Sequence, residues 1–323
     1  MQALNTLFIT LLNEGDEVLI IEPFFPWYPS TTRLCGAKPV YVSTGIEDRF
    51  WPTIEEIEAK ITSKTKLLIF SNPSNPAGRV VTASELEALI RMCKRRNILL
   101  VSDEAYEGQC WSSPHVKTAS VLPEESKDIL ITLGTASKLC SLTGWRVGWI
   151  IAPAEISAAC KLVHSHETYC APVVLQRGIA ESLDVDRGDI EDHMKETAAL
   201  MQRNASCLCD ALEKHLGLTA FRPGGGYFVI ADVSHFEPPA STVAEDSADP
   251  TTDVGFVEWL LANAKVFCMP GWMFFDASST KYVRFAISKT EAAVDEGIRR
   301  IAKAMHGNGV VKANGNGLHA AVA

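Results

Sequence analysis

A set of continuous apolar runs, spaced by helical patterns, constrains this chain most. Val18-Leu19-Ile20-Ile21, Leu67-Leu68-Ile69-Phe70, Ile98-Leu99-Leu100-Val101 and Ile129-Leu130-Ile131-Thr132-Leu133 do not alternate with polar residues. Strands of this kind bury both faces, as in a largely parallel sheet covered by helices on each side. Pro39-Val40-Tyr41-Val42 adds another strand. Ile54 to Ile61 reads as a helix, and Thr82-Ala83-Ser84-Glu85 is a capping box opening a second helix to about Arg95. The expected fold is α/β: a three-layer α/β/α arrangement with a mainly parallel sheet, followed by a smaller C-terminal α+β domain.

The pattern changes past about residue 155. Two long helical stretches, 154–183 and 189–215, lead to the turn Pro223-Gly224-Gly225-Gly226 and the strand Tyr227-Phe228-Val229-Ile230. Residues 237–253 read as an exposed loop. A helix at 254–264, a strand near Val266, the strand Tyr282-Val283-Arg284-Phe285-Ala286 and a helix from Glu291 to Met305 complete the smaller unit. The expected division is 1–200 for the large domain, 201–306 for the small one, and a disordered Gly/Asn/Ala tail at 307–323.

Composition excludes several classes. A net charge of −9 without a basic stripe argues against binding nucleic acid. No apolar run approaches the roughly 18 residues of a membrane span. The nine cysteines are scattered singly apart from Cys207-x-Cys209, which has no second pair or histidine at ligand spacing. They read as reduced thiols in a cytoplasmic setting, with no metal site.

In an open α/β sheet, ligands bind at the carboxyl ends of the strands. The residues that follow the strands are therefore informative. They are Glu22-Pro23-Phe24-Phe25-Pro26-Trp27-Tyr28, then Asn72-Pro73-Ser74-Asn75-Pro76-Ala77-Gly78, then Asp103-Glu104-Ala105-Tyr106, then Gly134-Thr135-Ala136-Ser137-Lys138. A lysine among small residues past a buried strand can lose its proton, and a neutral amine forms a Schiff base with an aldehyde. That chemistry points to pyridoxal 5′-phosphate (PLP). Asp103 is the candidate partner for the pyridine nitrogen, its alternative being a cap on the next turn. Tyr106 and Asn75 are candidate donors to the ring oxygen, and Phe25 is a candidate stacking ring. Thr135, Ser137 and Arg146 are candidates for the phosphate, since arginine forks onto phosphate bidentately. Arg284 stands inside an apolar strand, a costly place for an unpartnered charge. It suits a substrate carboxylate or a structural ion pair.

Taken together, these motifs resemble the fold-type I, class I/II PLP-dependent aminotransferases. Asn72-Pro73-x-Asn75-Pro76-x-Gly78, Asp103-x-x-Tyr106, Ser137-Lys138 with Thr143-Gly144-Trp145-Arg146-x-Gly148, and the late Arg284 stand in the family's order and spacing. The resemblance covers residues 1 to about 305. Pro223-Gly224-Gly225-Gly226-Tyr227-Phe228 and Glu22-Pro23-Phe24-Phe25 look most like the kynurenine aminotransferase/glutamine transaminase K subgroup. The resemblance implies Lys138 as Schiff-base lysine and proton shuttle, with Asp103, Tyr106, Asn75, Phe25, Thr135, Arg146 and Arg284 in the roles above. It implies amino-acid and 2-oxo-acid substrates and a homodimer.

The resemblance also implies that the family's N-terminal arm, a Gly-rich turn at the phosphate, and an aromatic residue lent by the neighbouring subunit belong to a segment ahead of Met1. Three functional readings follow. The first is transamination of an L-amino acid. The others are a PLP-dependent β-lyase or 1-aminocyclopropane-carboxylate synthase-like reaction, and a truncated inactive or regulatory homologue.

Overall fold

The computed structural model describes residues 1–185, 187–243, 247–276 and 281–307. The apolar runs form β1 (Glu17–Ile21), β2 (Lys38–Val42), β3 (Thr65–Ser71), β4 (Leu99–Asp103) and β5 (Leu130–Thr135). All pair in parallel, and β6 (Gly148–Ile151) closes the sheet antiparallel to β5. The order is β2-β1-β3-β4-β5-β6. Strand order reverses between β1 and β3, so the switch-point crevice opens at the carboxyl ends of the central strands.

Helices α1 (Gln2–Leu11), α2 (Trp27–Leu34), α3 (Ile54–Glu58), α4 (Ala83–Arg96), α5 (Ala136–Leu139), α6 (Ala154–Glu167), α7 (Val173–Val185) and α8 (Arg187–Leu216) accompany this sheet. Successive strand residues face opposite sides. Leu19, Ile21, Leu68, Phe70 and Leu100 pack on Leu86, Leu89 and Ile90 of α4. Their neighbours Val18, Ile20, Leu67, Ile69 and Val101 pack on Leu4, Leu7 and Phe8 of α1. The capping box of α4 forms as read, with Thr82 and Glu85 exchanging bonds.

A second, antiparallel sheet has the order β7-β8-β10-β9. Its strands are β7 (Thr219–Phe221), β8 (Phe228–Asp232), β9 (Met269–Pro270) and β10 (Tyr282–Ala286), with α9 (Asp253–Ala264) and α10 (Glu291–His306) beside them. Met201, Leu208 and Leu212 of α8 pack with Val229, Phe256 and Leu260. Because α8 spans 187–216, residue 200 falls inside one continuous helix. Among the described residues no helix is long and apolar enough to cross a membrane.

Several expectations need correction. The single helix expected over 154–183 is two helices. Tyr169 adopts a left-handed φ of 65° and Pro172 precedes α7, so the helical ladder cannot run through. The strand expected near Val266 begins at Met269, because Lys265 ends α9 in a left-handed conformation. The helix from Ile54 stops at Glu58. The short elements α2, α5, β6 and β7 lay outside the sequence reading. Beyond Gly307, the expected disordered tail lies outside the described residues.

Candidate active site

Lys138 stands on α5, a single turn that follows directly from β5. Thr135 caps that turn by accepting the Ser137 amide at 3.2 Å, and its hydroxyl donates to the Val147 carbonyl at 3.1 Å. The Lys138 amine lies 5.4 Å from the ring centre of Tyr227 and 5.9 Å from that of Tyr106. Burial, and then the Arg146 and Arg284 cations, hold the amine below the ordinary lysine range. A neutral amine, the nucleophilic form, is thereby brought nearer to neutral pH.

Asp103 closes β4. Its Oδ1 accepts the Ala105 amide at 3.1 Å, and its Oδ2 accepts the Tyr28 hydroxyl at 2.6 Å. Burial pushes this carboxyl above its usual range, against the pull of the two hydrogen bonds. A cation beside it would favour the charged form again. Tyr28 is 1% exposed, and burial beside Asp103 raises its phenol well above the ordinary range, so it stays a donor. Burial also raises the Tyr106 phenol, whose ring meets the edge of Tyr227 at 5.3 Å.

Arg284 reaches across from the second sheet. Its Nη1 donates to Oδ1 of Asn75 at 3.1 Å. A guanidinium can only donate, so the Asn75 amide is oriented, with its NH2 end left for another acceptor. The guanidinium carbon lies 4.0 Å from the ring centre of Phe228 and 4.4 Å from that of Phe274. Burial lowers Arg284 to about 10. Its Nε is buried without a hydrogen-bond partner among the described residues, and no carboxylate there pairs with it. Among the described residues, then, no structural ion pair holds this charge.

Phe25, at the entry to α2, packs edge-on against Tyr28 at 5.6 Å. Arg146 takes a left-handed φ of 58° and donates to the Thr143 carbonyl at 3.0 Å. Phe25, Asn75, Asp103, Tyr106, Thr135, Ser137, Lys138, Arg146 and Arg284 all line one cavity of about 350 Å3. An adjoining cavity of about 570 Å3 shares Thr135, Ser137 and Arg146 and extends between α1 and α6.

Sequence reasoning missed four supporting residues. Tyr28 was visible only as part of an aromatic cluster, although it lies in the first turn of α2, three residues after Phe25 at that helix's entry. Phe228 and Phe274 flank Arg284 from elements whose pairing no local pattern announces. Gln109 donates to the Lys138 carbonyl from a turn that carries no motif.

The description aminotransferase class I and II matches residues 1–301. Human kynurenine–oxoglutarate transaminase 1 is 32% identical, over 92% of this chain and 75% of its own length. Rat kynurenine–oxoglutarate transaminase 3 is also 32% identical, over 88% of this chain and 65% of its length. The chain thus spans about two thirds to three quarters of these relatives. Among solved structures, the Thermus thermophilus aspartate aminotransferase with maleate aligns at a TM-score of 0.82 and 30% identity. That alignment covers 94% of this chain and 73% of the other. The Pyrococcus horikoshii aromatic aminotransferase aligns at 0.83 and 27%, over 94% and 76%.

Proposed function

Because the chain belongs to the class I and II aminotransferases, we propose that it moves the amino group of an L-amino acid to a 2-oxo acid with PLP at Lys138. The observation that carries this reading is the single cavity shared by a desolvated lysine, a buried carboxylate and a buried arginine. The relatives' names favour transamination over the lyase and inactive readings.

The residues present fit PLP. The Asn75 NH2 and the Tyr106 phenol supply donors for a ring oxygen. The buried Asp103 offers a carboxylate to a ring nitrogen, and Phe25 offers an aromatic face. Thr135, Ser137 and Arg146 offer hydroxyls and a cation to a phosphate. Bound PLP supplies an aldehyde for an amine and an electron sink that makes an amino acid's α-proton removable. Lys138 Nζ then takes that proton as general base and returns it as general acid. Arg284 holds the substrate carboxylate, with Asn75 fixing its plane and Phe228 and Phe274 excluding water from its faces. Asp103 and Tyr28 keep the negative charge placed against the ring nitrogen.

We extend the proposal to kynurenine as amino donor and oxoglutarate as acceptor, the substrates in the relatives' names. The aromatic walls of the cavity support a large apolar side chain. A homodimer is proposed as well, supported by exposed Leu162, Tyr169, Val173 and Val174 on and between α6 and α7.

Adding PLP to the purified chain should produce an absorption band of bound cofactor that shifts when amino acid is added. Lys138→Ala should lose both the band and 2-oxo acid formation. Substantial turnover by that variant would remove Lys138 from its role. Release of pyruvate and ammonia, without 2-oxo acid formation from the donor, would favour the lyase reading.

A further inference from the structure

We infer that Gln109 is a positioning residue for Lys138, aiming the amine by holding the carbonyl of the same residue. The inference rests on Lys138 being the reactive amine. Helix α5 has only four residues, and its last carbonyls have no intrahelical partner. The Ala136 carbonyl accepts the Cys140 amide at 3.0 Å, and the Ser137 carbonyl accepts the Thr143 hydroxyl at 3.2 Å. The Lys138 carbonyl accepts Gln109 Nε2 at 3.0 Å and, more weakly, the Tyr227 hydroxyl at 3.4 Å. So short a turn has little stiffness of its own. The direction of the lysine side chain therefore depends on these tethers.

Gln109 is itself held on both sides. Its amide donates to the Tyr106 carbonyl at 2.9 Å, and its carbonyl accepts the Gly226 amide at 2.8 Å. A Cβ on Gly225 would lie 2.6 Å from the Gln109 carbonyl oxygen, so only glycine permits this approach. Gly226 leads directly into Tyr227 and Phe228. Gln109 therefore ties the lysine turn to the segment whose Tyr227 hydroxyl is the second donor to the Lys138 carbonyl and whose Phe228 ring lies beside Arg284.

The side chain of Gln109 pays for this in stability. The residue is 1% exposed, and the NH2 end must face the Lys138 carbonyl because a carbonyl only accepts. That leaves Oε1 buried without a partner among the described residues. An unsatisfied buried acceptor opposes folding; an apolar residue of the same volume removes it but leaves the Lys138 carbonyl with only the Tyr227 hydroxyl at 3.4 Å.

The test uses Gln109→Leu and Gln109→Met in the full chain. The rate of condensation with pyridoxal phosphate, followed across pH, reads the Lys138 amine. The charged and titratable groups around that amine are Arg146, Arg284, Asp103, Tyr106 and the Met1 amino group, which line the same cavity, and Tyr227. Loosening the turn lets the amine drift toward water and away from the two arginines. Its midpoint should rise by about half a pH unit or more, a readout that the stability lost by leaving the Lys138 carbonyl short of a donor would not by itself move. A midpoint equal to wild type in both folded variants overturns the inference. Failure of the wild-type chain to condense at all would instead overturn the Lys138 reading, and this inference with it.

Discussion

The hydroxyl of Tyr28 donates to the carboxylate of Asp103 across 2.6 Å, joining the first turn of α2 to the end of β4. Burial alone would drive that carboxyl toward its neutral form, and this bond opposes the drift. Tyr28 therefore determines how much of Asp103 is charged when a ring nitrogen faces it.

Tyr28→Phe keeps the ring packing and deletes the donor. A buried acceptor left with one fewer partner should cost about 1–3 kcal/mol of stability. The Asp103 carboxyl should move to still higher pH, so the acid limb of the rate profile shifts upward. Melting curves and a pH–rate profile check both effects. An acid limb in the wild-type position would mean that Asp103 does not depend on Tyr28.

Arg284 offers a second test, because its guanidinium lies between two aromatic faces with its Nη1 engaged by Asn75. Arg284→Ala should lower kcat/KM for the amino acid by about a hundredfold or more, since a buried, hydrogen-bonded charge pair is lost. Arg284→Lys should recover little. An ammonium is a point charge without the planar fork that fills this slot. Steady-state kinetics with the donor amino acid decide. Recovery to within a few-fold of wild type would show that charge alone suffices.

The readable part of the site has a physical logic. Lys138, Asp103, Asn75 and Phe25 each follow an apolar strand, and a parallel sheet gathers such positions at one edge whatever the loops do. Arg284 was readable for a different reason, as a charge in an apolar strand. Tyr28, Gln109 and Phe274 were not, because each matters through an approach between distant segments. Tyr28 lies 75 residues from Asp103, and Asn75 lies 209 from Arg284. Local patterns fail in the same way at α6 and α7. There the sequence reads as one helical stretch through 168–172, but Tyr169 and Pro172 interrupt the backbone. Strands β6 and β7, of four and three residues, are too short to show a period at all.

Gly78 offers a test of the junction between the two sheets. It has a φ of +69°, and its carbonyl accepts the amides of Gly224 and Gly225 at 2.8 and 3.0 Å. A Cβ there would lie 2.5 Å from the Gly225 carbonyl oxygen and from Pro223 Cβ. Gly78→Ala should cost roughly 2–4 kcal/mol, combining left-handed strain with a displaced backbone. The 223–226 turn carries Tyr227 and Phe228, so kcat/KM should fall alongside the melting temperature. An unaltered melting temperature would show that the turn yields freely.

Glu104, next to Asp103 but 3% exposed, predicts how the fold responds to acid. Its Oε1 accepts Ser102 Oγ at 3.1 Å and the Thr118 amide at 3.0 Å, and its Oε2 accepts His115 Nε2 at 3.1 Å. Burial pushes this carboxyl up, but the His115 and Thr118 bonds outweigh it and leave the group below the usual glutamate range. A carboxyl depressed in the folded state adds stability above its unfolded value, about pH 4.3. That stability is lost as pH falls from there through the folded value. Glu104→Gln should therefore cost about 1–3 kcal/mol at neutral pH, where the charged acceptor is replaced by a weaker neutral one. Below about pH 4 the gap between variant and wild type should narrow. Melting temperatures of both proteins across the acid range measure that gap. A constant difference at every pH would show that the Glu104 charge contributes nothing to the fold and that only its shape matters.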